Sequence, residues 1–321
     1  MFDLSRCNLC PRNCGIDRFS AKGFCRAGAE MKIARAALHF WEEPCLSGKN
    51  GSGTIFFSGC NLGCIYCQNQ AISRTDCGKS VSPAALAEVF ADLERQGAHN
   101  INLVTPTHHW LQIQKAVRLY QGNLPIVYNT SGYERPETID ALADTVDIYL
   151  TDLKYADAES AANFSYAADY PQVAKAALER MVKTIGAPQF DEGGLLKKGV
   201  IVRLLVLPSI EHEAMMNLKF LKEQFGDQII ASIMNQYTPL CTDERYPELF
   251  RSVTDEEYEE IIDFAVSLGI ENAFVQEGGA VGEGTQGLQA HPVHDLQGGD
   301  QAGDALADGG GVGGLDRIHA D

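Results

Sequence analysis

Three cysteines stand in the octet Cys60-Asn61-Leu62-Gly63-Cys64-Ile65-Tyr66-Cys67. Positions 60 and 64 share one face of a helical turn and 67 lies three residues further on, so three sulfurs can converge from one short loop. A [4Fe–4S] cluster in an ordinary electron carrier takes four cysteine thiolates. Three thiolates leave one iron open to an exchangeable ligand, which suits catalysis better than electron transfer alone. The plainer readings are three buried apolar cysteines or half of a zinc site. Zinc would want a fourth ligand nearby, and only Cys77, at the edge of the next ten residues, offers one.

A second set precedes it. Cys7, Cys10, Cys14 and Cys25 are spaced C-x2-C-x3-C-x10-C, with Gly and Pro between them. Four thiolates form a closed site, zinc or a second iron–sulfur cluster, with a structural role; the alternative is a reduced loop without metal. Cys45 stands alone and reads as a small apolar residue. Seven of the ten cysteines fall in these two sets, a pattern of metal binding rather than of disulfides. A low-potential cluster needs a reducing compartment, so a cytoplasmic location is expected.

The elements that must position these residues alternate. Short apolar runs at 54–58, 100–104, 125–129, 146–150, 200–206 and 229–234, with a seventh at 273–276, predict strands. Helices are expected near 82–97, 109–121, 136–144, 170–186, 212–225 and 255–268. Ser82-Pro83 and Thr254-Asp255-Glu256-Glu257 are start signals for two of them. Continuous apolar strands alternating with helices imply an α/β fold with a parallel sheet, and six or so such units match a full or partial TIM-type barrel. The predicted organisation is a Cys-rich metal-binding segment over 1–50, a barrel over 51–277 and a tail over 278–321.

Chemistry in such a barrel sits at the C-terminal ends of the strands. The first strand ends in the cysteine octet. The second ends in Thr105-Pro106-Thr107-His108-His109, where the histidines are candidate acid–base groups or, alternatively, one faces the pocket and one caps the next helix. Asn129, Ser131 and Gly132 follow the third strand and suit close approach to a ligand. Asp152 and Lys154 share a face after the fourth, as a salt bridge or a ligand clamp. Arg203, inside an apolar strand, needs a carboxylate from the protein or a ligand. His39-Phe40-Trp41-Glu42-Glu43-Pro44 is expected to be a solvated loop, the alternative being that it places the Glu42 and Glu43 carboxylates near the cluster.

Taken together, Cys-x-x-Cys-Pro-Arg, Gly-Cys-Asn-Leu-Gly-Cys-Ile-Tyr-Cys-Gln-Asn, Val-Thr-Pro-Thr-His, Tyr-Asn-Thr-Ser-Gly-Tyr, Asp-Leu-Lys-Tyr and Gln-Tyr-Thr-Pro, over roughly residues 7–277, resemble the radical S-adenosylmethionine (SAM) proteins similar to pyruvate formate-lyase-activating enzyme. The resemblance implies a partial (β/α)6 barrel. It implies a [4Fe–4S] cluster on Cys60, Cys64 and Cys67, with SAM chelating the open iron. It places Tyr66 near the adenine and Asp152 and Lys154 against SAM. The family's Gly-Gly-Glu-like segment is replaced by Thr105-Pro106-Thr107, so only a backbone contact to the SAM amino group carries over there. A low-potential donor of flavodoxin or ferredoxin type is the implied partner, with a glycyl radical enzyme as the substrate by analogy. Rival readings are radical chemistry on a small molecule or peptide, and a non-enzymatic iron–sulfur or zinc protein.

The net charge of −17 argues against nucleic-acid partners. No run approaches 18 apolar residues, so no transmembrane helix is expected. The tail, with 13 glycines in 44 residues and no aromatic, is expected to be disordered. Its two G-x-G-x-x-G matches are set aside because neither is predicted to open a helix.

Overall fold

The computed structural model describes residues 2–276. The tail expected from residue 278, with its glycine motifs, lies outside the described residues. In chain order the described residues form β1 (Met31–His39), α1 (Pro44–Ser47), β2 (Ser52–Phe57), α2 (Gln70–Ser73), β3 (Lys79–Val81), α3 (Pro83–Arg95), β4 (Ile101–Val104), α4 (Trp110–Leu119), β5 (Ile126–Thr130), α5 (Pro136–Ala141), β6 (Ile148–Asp152), α6 (Ala158–Ser165), α7 (Tyr170–Ile185), β7 (Gln189–Phe190), β8 (Leu196–Leu205), α8 (Glu211–Phe225), β9 (Ile230–Met234), α9 (Asp255–Ser267) and β10 (Ala273–Val275).

One sheet runs in the order β10-β9-β8-β6-β5-β4-β2-β1-β3, and β7 pairs with β8 outside that path. Strands β2 to β10 along it are parallel, whereas β1 pairs antiparallel with both β2 and β3. The parallel strands follow one another in sequence order without a reversal. Right-handed crossovers then place the connecting helices on one face, which is the winding of a barrel rather than of a doubly wound sheet. The sheet ends at β3 and β10, so the barrel is partial.

The expected strands are present, including the seventh. Ser82 caps α3 by accepting from the Ala85 N–H, and Thr254 with Glu257 forms the capping box of α9. Residues 34–39 lie in β1, whose register with β2 shifts between Ile33 and Arg35. Helix α6 was not expected. Its polar, alanine-rich sequence gives little periodicity, and what starts it is Asp157, whose carboxylate accepts from the N–H groups of Glu159 and Ser160.

Alternation along the strands separates two environments. Ile55, Phe57, Leu103, Tyr128, Tyr149, Val200, Val202 and Ile233 pack with the helices. Val127, Ile148, Leu150, Ile201 and Ile230 face the interior, where Cys45 and Leu46 of α1 fill the end from which the strands start. Cys45 is therefore a small apolar core residue, as its sequence context suggested.

Candidate metal centre and ligand pocket

The octet leaves β2 through Ser58 and Gly59. Gly59 has φ +87°, and a Cβ there would run into the Cys25 carbonyl oxygen, so glycine is required on two counts. The Ser58 carbonyl lies 2.7 Å from His108 Nε2. His108 and His109 are both fully buried, and burial pushes the His108 imidazole down to about 4 and holds His109 well below the usual imidazole range. His109 occupies the cap position of α4 but makes no side-chain cap hydrogen bond, and its ring packs against Phe57 and His108. Neither histidine is an exposed acid–base group, and neither caps the helix. They are neutral packing residues behind the loop.

Cys60, Cys64 and Cys67 are half-buried and unbonded to other cysteines. Burial pushes the Cys60 and Cys64 thiols up and the neighbouring cysteines of the octet add to it, while Lys154 pulls Cys64 the other way. Each sulfur has a polar neighbour. The Leu62 N–H donates to Cys60 Sγ at 3.4 Å, Ser165 Oγ donates to Cys64 Sγ at 3.0 Å, and Ser73 Oγ lies 3.4 Å from Cys67 Sγ. A metal reverses the cost of a buried thiolate by taking the charge. Three convergent sulfurs with donors already aimed at them fit a [4Fe–4S] cluster with one iron left open.

Tyr66 is buried, and its hydroxyl is engaged. It lies 2.7 Å from the Tyr155 hydroxyl, which lies 2.7 Å from Ser165 Oγ, which reaches Cys64 Sγ. Tyr66 also meets the edge of Tyr237. Tyr155 and Ser165 were not singled out in the sequence. Tyr155 belongs to the quoted Asp-Leu-Lys-Tyr run, but Ser165 sits in the unexpected α6 and left no signal.

Asp152 and Lys154 share a face as alternation predicted, with Lys154 Nζ 2.6 Å from Asp152 Oδ2. Burial alone would raise the Asp152 carboxyl, but Lys154 and Arg203 outweigh it and hold it below the ordinary range. Burial likewise opposes the charge on Lys154, and Asp152 together with the Cys64 thiolate prevails. Lys154 thus feels the charge of both the acid and the cysteine loop.

Arg203 finds its carboxylates within the protein. Its Nε lies 3.0 Å from Asp152 Oδ1, its Nη1 lies 3.4 Å from Glu42 Oε2, and its Nη2 donates to Asn129 Oδ1 at 2.7 Å. Glu42 also accepts from Asn102 Nδ2 at 2.9 Å. The expectation that Glu42 and Glu43 lie in a solvated loop is overturned. The segment before α1 enters the barrel, leaving Glu43 1% exposed, and burial raises its carboxyl to about 7 against the pull of Arg203. Pro44 starts α1, and the apolar Cys45-Leu46 pair that follows packs against Val127, Ile148, Leu150, Ile201 and Ile230 of the strands, drawing the two glutamates in behind it.

Thr105 closes β4 with φ +58°, an uncommon conformation for a β-branched residue, and its N–H bonds the Asn129 carbonyl at 2.9 Å. Ser131 Oγ is buried without a partner, while the Ser131 carbonyl accepts from the Tyr170 hydroxyl at 2.8 Å. Asn129, Ser131, Asp152, Lys154 and Arg203 all stand on or just beyond the C-terminal halves of adjacent strands.

The amino-terminal cysteines are brought together too. Cys7, Cys10 and Cys25 are buried and Cys14 is half-buried. Burial pushes the Cys10 and Cys25 thiols up, with their cysteine neighbours adding to it. Gly23 leaves room between them: a Cβ there would lie 3.4 Å from Cys14 Sγ and 3.7 Å from Cys25 Sγ. Arg12 ties this knuckle to the octet, donating to the carbonyls of Asn61 at 2.8 Å and Ser165 at 3.1 Å while stacking 3.8 Å over Phe24.

Residues 54–187 match the family model of the radical SAM superfamily. An uncharacterized protein of Methanocaldococcus jannaschii is 30% identical over 271 residues, covering 81% of this chain and 74% of its own. The chain belongs to the radical SAM superfamily, whose chemistry uses a [4Fe–4S] cluster and SAM. A solved domain of pyruvate-formate lyase-activating enzyme from Bacteroides vulgatus aligns with 61% of this chain and 91% of its own at 12% identity and a TM-score of 0.35, a likeness too distant to carry an argument. Among the described residues no helix is long and apolar enough to cross a membrane.

Proposed function

We propose that the protein is a radical SAM enzyme whose Cys60, Cys64 and Cys67 hold the catalytic [4Fe–4S] cluster. In this reading Tyr66, Thr105, Asn129, Ser131, Asp152, Lys154 and Arg203 bind SAM. The observation that carries it is the Asp152–Lys154 pair beside Cys64, at the strand ends where a barrel places its chemistry. A cluster bound there supplies one electron that splits SAM into methionine and a 5′-deoxyadenosyl radical able to abstract hydrogen from a substrate.

The chain's own groups do the positioning. Lys154 is a fixed cation for the SAM carboxylate, and Asp152 keeps it charged and oriented. Arg203 and Asn129 hold Asp152 in turn. The backbone at Thr105 offers contacts that do not depend on a side chain. Ser165 and the Leu62 N–H stabilise negative sulfur. The substrate in this proposal is a glycine in a partner protein, with a small molecule or peptide as the second reading. Cys7, Cys10, Cys14 and Cys25 hold a second metal, and a low-potential carrier provides the electrons.

The test is anaerobic. Protein reconstituted with iron and sulfide, reduced and given SAM should release 5′-deoxyadenosine, and Cys64→Ala should not. A wild-type protein with a full, reduced cluster that forms no 5′-deoxyadenosine, alone or with candidate partners, would sink the proposal.

A further inference from the structure

The two cysteine sets are not independent. The Cys60 N–H donates to the Cys25 carbonyl at 3.2 Å, in the place where Gly59 must be glycine to let the Cys25 backbone approach. A ligand of one proposed centre is therefore hydrogen-bonded to a ligand of the other. From Cys25 Sγ the path runs through Cβ, Cα and the carbonyl, crosses one hydrogen bond, and continues through the Cys60 amide, Cα and Cβ to Cys60 Sγ. Arg12 holds the same two loops together from the other side through Asn61.

Four cysteine thiolates complete the ligand set of a [4Fe–4S] cluster, and Gly23 sits between Cys14 and Cys25, where a Cβ would lie 3.4 Å and 3.7 Å from their sulfurs. The segment also differs from the chain in charge. Residues 1–30 carry five basic and three acidic side chains, within a protein of net charge −17. Phe19 and Phe24 are exposed on it, at 72% and 43%.

We infer that Cys7, Cys10, Cys14 and Cys25 hold a second iron–sulfur cluster that serves as the electron entry point, passing single electrons to the Cys60 cluster through the Cys25–Cys60 hydrogen bond. The step is balanced as one electron out of the reduced four-cysteine cluster and one into the oxidised three-cysteine cluster. A low-potential, acidic one-electron carrier protein then restores the first. This rests on the radical SAM reading for the identity of the acceptor, and it replaces the purely structural role that four closed thiolates suggested.

The experiment uses the full chain, reconstituted anaerobically. Iron, labile sulfide and zinc are counted in wild type, Cys14→Ser and Cys64→Ala. Wild type should hold about eight irons and no zinc, and each variant about half as much iron. On reduction, the electron paramagnetic resonance spectrum of wild type should show broadening from two nearby spins, absent from either variant. Reduction of the Cys60 cluster by reduced flavodoxin should then be at least about tenfold slower in Cys14→Ser, with a much smaller loss when a small photoreductant is used. Zinc in the site, two clusters without spin coupling, or equal flavodoxin rates would each overturn the inference. The metal count and spectrum of wild type need no variant to fold. Coupled clusters with no SAM cleavage would leave the relay standing and remove the radical reading instead.

Discussion

Arg203 Nε and Asp152 Oδ1 lie 3.0 Å apart on neighbouring parallel strands, where Asp152 and Arg203 are register partners. The pair is mostly buried, and Glu42 and Asn129 complete the arginine's shell. Arg203→Met should therefore leave Glu42 without its cation and Asp152 with Lys154 alone. The expected loss is about 3–5 kcal/mol in denaturant unfolding, because breaking a buried pair strands its partners. Arg203→Lys should recover only part, since a point charge cannot serve three acceptors in a fork. A neutral result for Arg203→Met would show that the carboxylates are protonated or hydrated in the folded protein.

Gly59→Ala is the sharpest single test of how the two cysteine loops meet. The substitution meets both a positive φ and the Cys25 carbonyl. Iron content should fall at both centres while far-ultraviolet circular dichroism is retained. Iron lost at the octet alone would show that the Cys25 loop can move away without consequence.

Lys154→Ala removes the cation next to Cys64 and leaves Asp152 with Arg203 alone. SAM affinity, read by equilibrium dialysis on the reconstituted protein, should weaken by about tenfold or more, a loss of about 1.4 kcal/mol or more, as expected for one charge-assisted contact. Iron content should be unchanged. Unchanged affinity would remove Lys154 from the ligand pocket.

Glu134 gives a pH signature. It is fully buried, accepts from Thr107 and, at 2.6 Å, from Thr130 Oγ1, and burial still raises its carboxyl to about 7. The unfolded group titrates near 4.3. The native state thus holds this proton more tightly, so the contribution is complete below pH of about 4 and is lost as pH rises through about 7. Melting temperature should fall between pH 5 and 7.5 in wild type, and less so in Glu134→Gln. Parallel curves for the two proteins would show that Glu134 ionises normally.

Much of the site was legible because its signals are local. Cysteine spacing is set by one loop, the Asp152–Lys154 relation by strand alternation, and Arg203's need for an acid by the apolar run around it. What could not be read depends on long-range packing. Nothing near Glu42 and Glu43 announces that α1 fills a barrel end, since the strands forming that barrel come afterwards in the chain. The same is true of Ser165: its role at Cys64 follows from a helix that a single aspartate starts. His108 and His109 looked chemical because of their types, and only their depth behind the octet shows them to be inert.

The filled end of the barrel also constrains how the molecule can be made. Residues 42–46 emerge from the ribosome before any parallel strand, yet Glu42 meets Arg203 across 161 positions of sequence, and Leu46 is fully enclosed by β5, β6, β8 and β9. The strands must therefore wind around a stopper that is already present, which ties completion of the floor to the arrival of β8. Contacts of such long sequence separation are slow to form, and until they do the glutamates and Leu46 face solvent. A nascent chain halted before residue 200 should be recognised by chaperones through that uncovered floor, whereas its cysteine loops, whose contacts with Cys25, Asn61 and Ser165 all precede that point, are complete enough to be loaded with iron.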